Sequence, residues 1–131
     1  MKKLLRKMLS VFAVFTLLLT SVSGAFSDLS SEHWAYKAVE DMVDKNVVSG
    51  YSDGTFRPNN LVTYAESLTI LLNMLGYKEE VNTSAFGWPY NYINKAADIN
   101  LDDNVEIENN NNPATRGDIA LLALNAYLMI H

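Results

Sequence analysis

The apolar positions of this chain change their spacing three times, and each change predicts an element. From Met8 to Leu19 they run almost unbroken. From Trp34 they recur at helical spacing: Trp34, Ala35, Ala38, Val39, Met42 and Val43 share one face, with Lys37, Glu40, Asp41 and Asp44 on the other;. This predicts an amphipathic helix from about Trp34 to Lys45. Ser30, Ser31 and Glu32 open it, and Asn46 closes it as a left-handed cap. After Thr63 polar residues become scarce. Leu68, Leu71, Leu72 and Leu75 form a stripe with Ile70 and Met74 beside it. A helix so apolar is expected to be central, buried on more than one side, and stopped by Gly76. A last helix has Ile119, Leu122, Ala123 and Ala126 on one face, flanked by Leu121, Leu124 and Leu128.

Turn chemistry separates the first two helices. Gly50 and Gly54 permit backbone angles that other residues resist. Ser52-Asp53-Gly54 is a strong turn signal, and Pro58 forbids a helix from running through. Val47-Val48 and Thr55-Phe56 are expected as very short strands around the Tyr51–Gly54 turn. Thr63 and Glu66 have capping-box spacing. Tyr77–Ala85 reads as a polar connector. The pattern then recurs: Trp88 aligns with Trp34, Tyr90 with Tyr36 and Ile93 with Val39, while Ile99 and Leu101 parallel the Val47–Val48 region. Pro113-Ala-Thr-Arg-Gly-Asp parallels Asn60-Leu-Val-Thr-Tyr-Ala-Glu. A period of about 50 residues marks repeats that cannot bury their faces alone. Between its matched ends the second copy is degenerate. Asp102–Asn112 replaces the glycine turn with acids and an Asn run, and is expected to be an exposed, mobile loop.

Composition changes the picture at the N-terminus. Lys2, Lys3, Arg6 and Lys7 precede the apolar run, and Thr20–Ala25 is small and polar. This is the layout of a secretory signal peptide over residues 1–25, and the apolar run is too short for a membrane span. Its removal takes away four of the 10 Lys and Arg and none of the 15 Asp and Glu, leaving a net charge of −9. Such an acidic chain argues against nucleic acid and against anionic membrane as general partners. With no cysteine, the exported domain is held by its core alone;.

The stretch Gly50-Tyr51-Ser52-Asp53-Gly54-Thr55-Phe56-Arg57-Pro58 resembles the core of a surface-layer homology (SLH) repeat. That family's pattern is Gly-Tyr-x-Asp-Gly-Thr-Phe-x-Pro, followed by Thr-Arg-Ala-Glu. Thr63-Tyr64-Ala65-Glu66 departs from it, with Tyr64 in the place of Arg. Thr115-Arg116-Gly117-Asp118 keeps the Thr, the Arg and an acid. The resemblance implies a mostly α fold of helix–loop–helix repeats with short β-turn segments, one repeat over residues 26–78 and a degenerate one over 86–131, joined by a connector at 79–85. Family members usually carry three repeats in a pseudo-threefold bundle. Two repeats imply an incomplete one, completed by self-association or by a longer protein of which this chain is a fragment. The implied function is non-covalent anchoring to the cell wall or S-layer of a Gram-positive-type bacterium, through a pyruvylated secondary cell-wall polysaccharide. No cofactor and no catalysis are implied.

Arg116 is either a solvated surface Arg or a residue whose place has a function, since no cap explains it. It is expected in the first turn of a helix, where the backbone dipole disfavours a cation but suits an anion held jointly by free N–H groups and a guanidinium. In the family the equivalent Arg contacts the pyruvylated sugar, so the resemblance implies that role for Arg116. Thr115 and Asp118 read as its helix cap, as Thr63 and Glu66 do for the earlier helix. Tyr64 supplies no charge, so its groove is either idle or binds sugar by aromatic contact. Trp34 and Trp88 are either stacking platforms for sugar or anchors of each repeat's core, the core reading being favoured. Gly50 either serves the turn or lets ligand reach the backbone. His33 and His131 have no paired ligand pattern.

Two other classes compete. Asp98-x-Asn100-x-Asp102, with Val105 at the apolar place, imitates the calcium loop of a dockerin-like interaction module. Asp103 stands where the sharp turn wants Gly, and Asn109 where the bidentate Glu belongs. A small carbohydrate hydrolase using Asp53 and Glu66 is the other. Glu66 is already claimed by a cap, and so short a chain leaves no room for a long cleft.

Overall fold

The structure is a computed structural model and describes residues 26–131, so the expected signal peptide lies outside the described residues. Five helices follow in order: α1 (Tyr36–Asp44), α2 (Tyr64–Met74), α3 (Lys78–Asn82), α4 (Tyr90–Asp98) and α5 (Arg116–Leu128). The leucine stripe makes α2 central, as its composition predicts. Leu68 and Leu72 are fully buried, and α2 packs against both α4 and α5. Leu101 and Leu122 complete this main core with Val81, Tyr92, Ala96 and Ala126. A second, smaller cluster holds α1: Leu29, Ala35 and Val39 are buried, with Phe26, Tyr36, Val43 and Phe56 packed on them.

The repeat is visible in the backbone. Asn46 and Asn100 both end a helix with positive φ, at 59° and 60°. The next residue in each copy folds back in the same way: Val47 N–H donates to Met42 O at 2.9 Å and Leu101 N–H to Ala96 O at 2.8 Å. Both Val47 and Leu101 are buried. The capping box is complete at α2, where Thr63 Oγ1 accepts from Glu66 N–H at 3.2 Å and Glu66 Oε2 accepts from Thr63 N–H at 2.9 Å. Thr115 Oγ1 accepts from Asp118 N–H at 3.2 Å to cap α5 in the same manner.

Several expectations need correction. α1 begins at Tyr36 rather than Trp34, and no Ser or Glu side chain caps it. Just ahead of the helix His33 Nδ1 accepts the Ala35 N–H, which leaves the first turn without a side-chain cap. Among the described residues no strand forms. Tyr51 N–H donates to Thr55 O at 2.8 Å and Gly54 N–H to Tyr51 O at 3.0 Å, which closes a turn without a ladder. The polar connector contains a helix, α3, because Val81 drops into the main core at 3% exposure. The Asp102–Asn112 loop is exposed for much of its length but tied down. Asn125 Nδ2 donates to Leu101 O and Asp103 O, while Asn110 O and Asn112 O accept the Ala65 and Tyr64 N–H groups. Its end forms a single antiparallel bridge, Thr63 to Pro113. On α5, Leu122 and Ala126 are buried, but Ile119, Leu124, Tyr127 and Leu128 are exposed, so part of this helix lacks cover.

Candidate functional site

A groove of about 880 Å³ runs between the first turn loop, α2 and the segment that opens the second repeat. Its floor is one face of α2. Glu66, Thr69, Ile70 and Asn73 line it, and their spacing places them on one side of a helix whose other side is the core;. One wall is the Val47–Pro58 loop, and the other includes Phe86 and Trp88.

The loop wall is held by hydrogen bonds that its sequence supplies locally. Asp53 Oδ1 accepts from the Thr55 N–H at 3.0 Å and the Thr55 hydroxyl at 2.6 Å, and Asp53 Oδ2 accepts from Arg57 Nη2 at 2.9 Å. The Thr55 hydroxyl and then the Arg57 guanidinium bring the Asp53 carboxyl down to about 2. Asp28 reaches in from the N-terminal segment and accepts from the Phe56 and Arg57 N–H groups at 2.8 and 2.7 Å. Arg57 has a φ of 60° and stacks its guanidinium 4.0 Å from the centre of the Tyr51 ring. The Tyr51 hydroxyl donates to Glu66 Oε1 at 2.5 Å. Burial pushes the Glu66 carboxyl up, but the Thr63 N–H and the Tyr51 hydroxyl outweigh it and the carboxyl stays ionised below its ordinary value.

The opposite wall is set by a bond between repeats. Trp88 Nε1 donates to Thr69 Oγ1 at 3.1 Å, and Thr69 Oγ1 donates to Ala65 O at 2.8 Å. The indole is thus fixed in orientation while Trp88 stays 56% exposed. At the far end Asn73 Nδ2 donates to Val47 O, and Asn73 Oδ1 accepts from the Tyr92 hydroxyl, both at 3.0 Å. Lys78 Nζ donates to Asn46 O at 3.1 Å.

Of the residues singled out from sequence, the groove gathers Gly50, Trp88 and Glu66. A Cβ at Gly50 would stand 2.1 Å from the Phe26 ring and 2.7 Å from Thr55 O, so packing requires this glycine. The favoured core role of the tryptophans is wrong: Trp34 is 84% exposed and Trp88 lies on the groove wall. Trp34, Tyr64, Thr115 and Arg116 do not line the groove. Tyr64 is buried, and its hydroxyl donates to the Asp118 carboxylate at the start of α5. Arg116 is exposed in the first turn of α5. Sequence reasoning missed Arg57, Thr69 and Lys78. Arg57 fills the variable place of the turn motif, and only tertiary contacts bring the other two to the groove.

The competing chemistries gain no geometry. Among the described residues no group of three or more His, Cys, Asp or Glu converges on a metal site. The carbonyls of Leu101 and Asp103, in the loop that imitates a calcium site, are taken by Asn125. Asp53 and Glu66 are each engaged by hydrogen bonds of the fold.

Residues 25–66 match the model of the S-layer homology domain. The middle cell wall protein of Brevibacillus brevis is 36% identical over 108 residues, which is 82% of this chain and 10% of that protein. The cell surface protein of Thermoanaerobacter kivui is 32% identical over 102 residues, 78% of this chain and 12% of that protein. The cellulosome-anchoring protein of Acetivibrio thermocellus is 40% identical over 53 residues, 40% of this chain and 12% of that protein. The chain therefore spans about a tenth of the length of these relatives. No solved structure matches it.

Proposed function

We infer, from the S-layer homology domain that this chain carries at residues 25–66, that it holds its protein to a bacterial cell wall without a covalent bond. The finer part of the proposal is the ligand: an anionic, pyruvylated secondary cell-wall polysaccharide. The observation that carries the reading is the groove between the repeats. It combines an oriented, half-exposed indole with hydrogen-bonding side chains along an α2 face, the mixture that a sugar ring with one apolar face asks for;. The names of a cell wall protein and a cellulosome-anchoring protein among the relatives point the same way.

Arg116 is proposed as a separate contact, outside the groove. A pyruvate ketal carries a carboxylate, and a planar two-pronged donor at the start of α5 suits it. The reading is one of binding without turnover.

Co-sedimentation with purified cell-wall sacculi is the test, using walls that carry pyruvylated polysaccharide and the same walls stripped of it. The protein is expected to pellet with the first and stay in solution with the second. Equal pelleting with both, or with neither, would overturn the reading. Arg116→Ala is expected to weaken binding to the intact walls. Binding as tight as the parent's would remove Arg116 from the site.

A further inference from the structure

The groove lies in an acidic molecule, yet its charges lean the other way. Residues 26–131 carry six Lys and Arg against 15 Asp and Glu. Two of those six, Arg57 and Lys78, line the groove, whereas among the described residues Glu66 is the only carboxylate that does. Glu66 is already occupied by Thr63 and the Tyr51 hydroxyl. An anionic ligand would thus meet Lys78, an Arg57 whose charge is partly matched by Asp53 behind it, and one carboxylate whose oxygens are both hydrogen-bonded.

The two cations stand at opposite ends. Arg57 is tied to the Glu66 end through Tyr51, whose ring it covers and whose hydroxyl reaches Glu66. Lys78 is tied to the Asn73 end: it binds the carbonyl of Asn46, and Asn73 binds the carbonyl of Val47 next to it. Glu66 and Asn73 are seven residues apart on α2, a rise of about 10 Å. Ile70 and Trp88 lie between. Such a span holds more than one sugar ring.

Position 64 cannot supply the charge. Tyr64 is buried and bonded to Asp118, and the N–H groups of Tyr64 and Ala65 at the start of α2 are taken by Asn112 O and Asn110 O. We propose that Arg57 and Lys78 are the cations with which this groove holds a carboxylate-bearing stretch of polysaccharide, one at each end. This rests on the wall-polysaccharide reading above and assigns the charge recognition within it. Arg57 is fixed for the task, since Thr55 and Asp53 hold its Nε and Nη2. Nη1 has no hydrogen-bond partner among the described residues and is left for the ligand. Among the described residues Lys78 makes one hydrogen bond, and its ammonium has further N–H groups to offer;.

The test is calorimetric titration of the purified protein with pyruvylated wall polysaccharide, at low and at moderate salt. Lys78→Gln is expected to weaken binding roughly tenfold, the loss typical of one hydrogen bond to a charged group. It should also flatten the salt dependence, and Lys78→Arg should restore both. Arg57→Gln is expected to act in the same direction, read beside its melting curve because Arg57 also holds the loop. Lys78→Gln binding as tightly as the parent, with the same salt dependence, would overturn the proposal. Failure of the parent itself to bind would sink the polysaccharide reading, and this inference with it.

Discussion

Tyr64 illustrates how one residue can change its work. Where the motif it resembles has a cation, this chain has a hydroxyl that joins the two repeats by donating to Asp118. The Asp118 carboxyl is held below its ordinary value by the Thr115 hydroxyl first and the Tyr64 hydroxyl second. Asp28 is lowered likewise, chiefly by the Phe56 N–H, and Asp53 falls from 3.8 to about 2. A lowered folded value means that the unfolded chain binds more protons. The stability these groups confer is therefore complete above the ordinary carboxyl range and lost as pH falls through the folded values. Stability is expected to be level near neutrality and to decline between about 3.8 and about 2. Tyr64→Phe should raise the Asp118 titration, followed by NMR, and move acid unfolding to higher pH. An unchanged Asp118 titration would deny the link between repeats. This bond was not legible in the sequence, because its partners lie in different repeats. The Thr63–Glu66 box was legible, because both its ends lie within one helical turn. The burial of Trp34 and Trp88 was misjudged for the same reason that hid Tyr64's partner: composition favours buried tryptophan, but what covers a side chain is decided by remote segments.

Among the elements, periodicity marked three of the five helices and the repeat alignment pointed to α4, and both failed where an element is too short to show a period. α3 has five residues and one buried side chain, so nothing in its spacing distinguishes it from a connector;. The expected strands failed because the Tyr51–Thr55 bonds close a turn locally, while Asp28 takes the Phe56 and Arg57 N–H groups that a ladder would use. The asymmetry of caps has a measurable consequence. α1 has no side-chain cap, whereas α2 has a reciprocal one whose Glu66 also receives the groove residue Tyr51. Thr63→Ala is expected to cost about 1 kcal/mol in denaturant unfolding, the usual loss for a cap. It should also loosen Tyr51, since Glu66 loses the hydroxyl that helps to orient it. A loss near zero would mean that the Asn112 and Asn110 carbonyls alone suffice to close the start of α2.

For the whole molecule, the division of the core gives the groove its meaning. The α1 cluster is small, with three buried residues, and the main core is built by α2, α4, α5 and their neighbours. Three hydrogen bonds between segments distant in sequence cross the seam: Asn73 on Val47, Lys78 on Asn46 and Tyr51 on Glu66. Asn73, Val47, Lys78, Tyr51 and Glu66 all line the groove, whose one wall belongs to the first-repeat loop and whose other wall opens the second repeat. A layer with few buried apolar contacts opens at lower free energy than the core it leans on. Opening it would also take the groove apart, so a ligand that needs both walls binds the closed state alone and stabilises it by mass action. Hydrogen exchange separates these terms. Amides of α1 are expected to exchange well before those of α2, and saturating pyruvylated polysaccharide should slow α1 selectively. At a ligand concentration 100 times its dissociation constant the added protection would reach about 2.7 kcal/mol. If ligand slowed α2 and α1 equally, the two clusters would unfold as one unit. If it slowed neither while binding remained measurable, the polysaccharide would be held at a surface that does not bridge the seam, such as the start of α5 around Arg116.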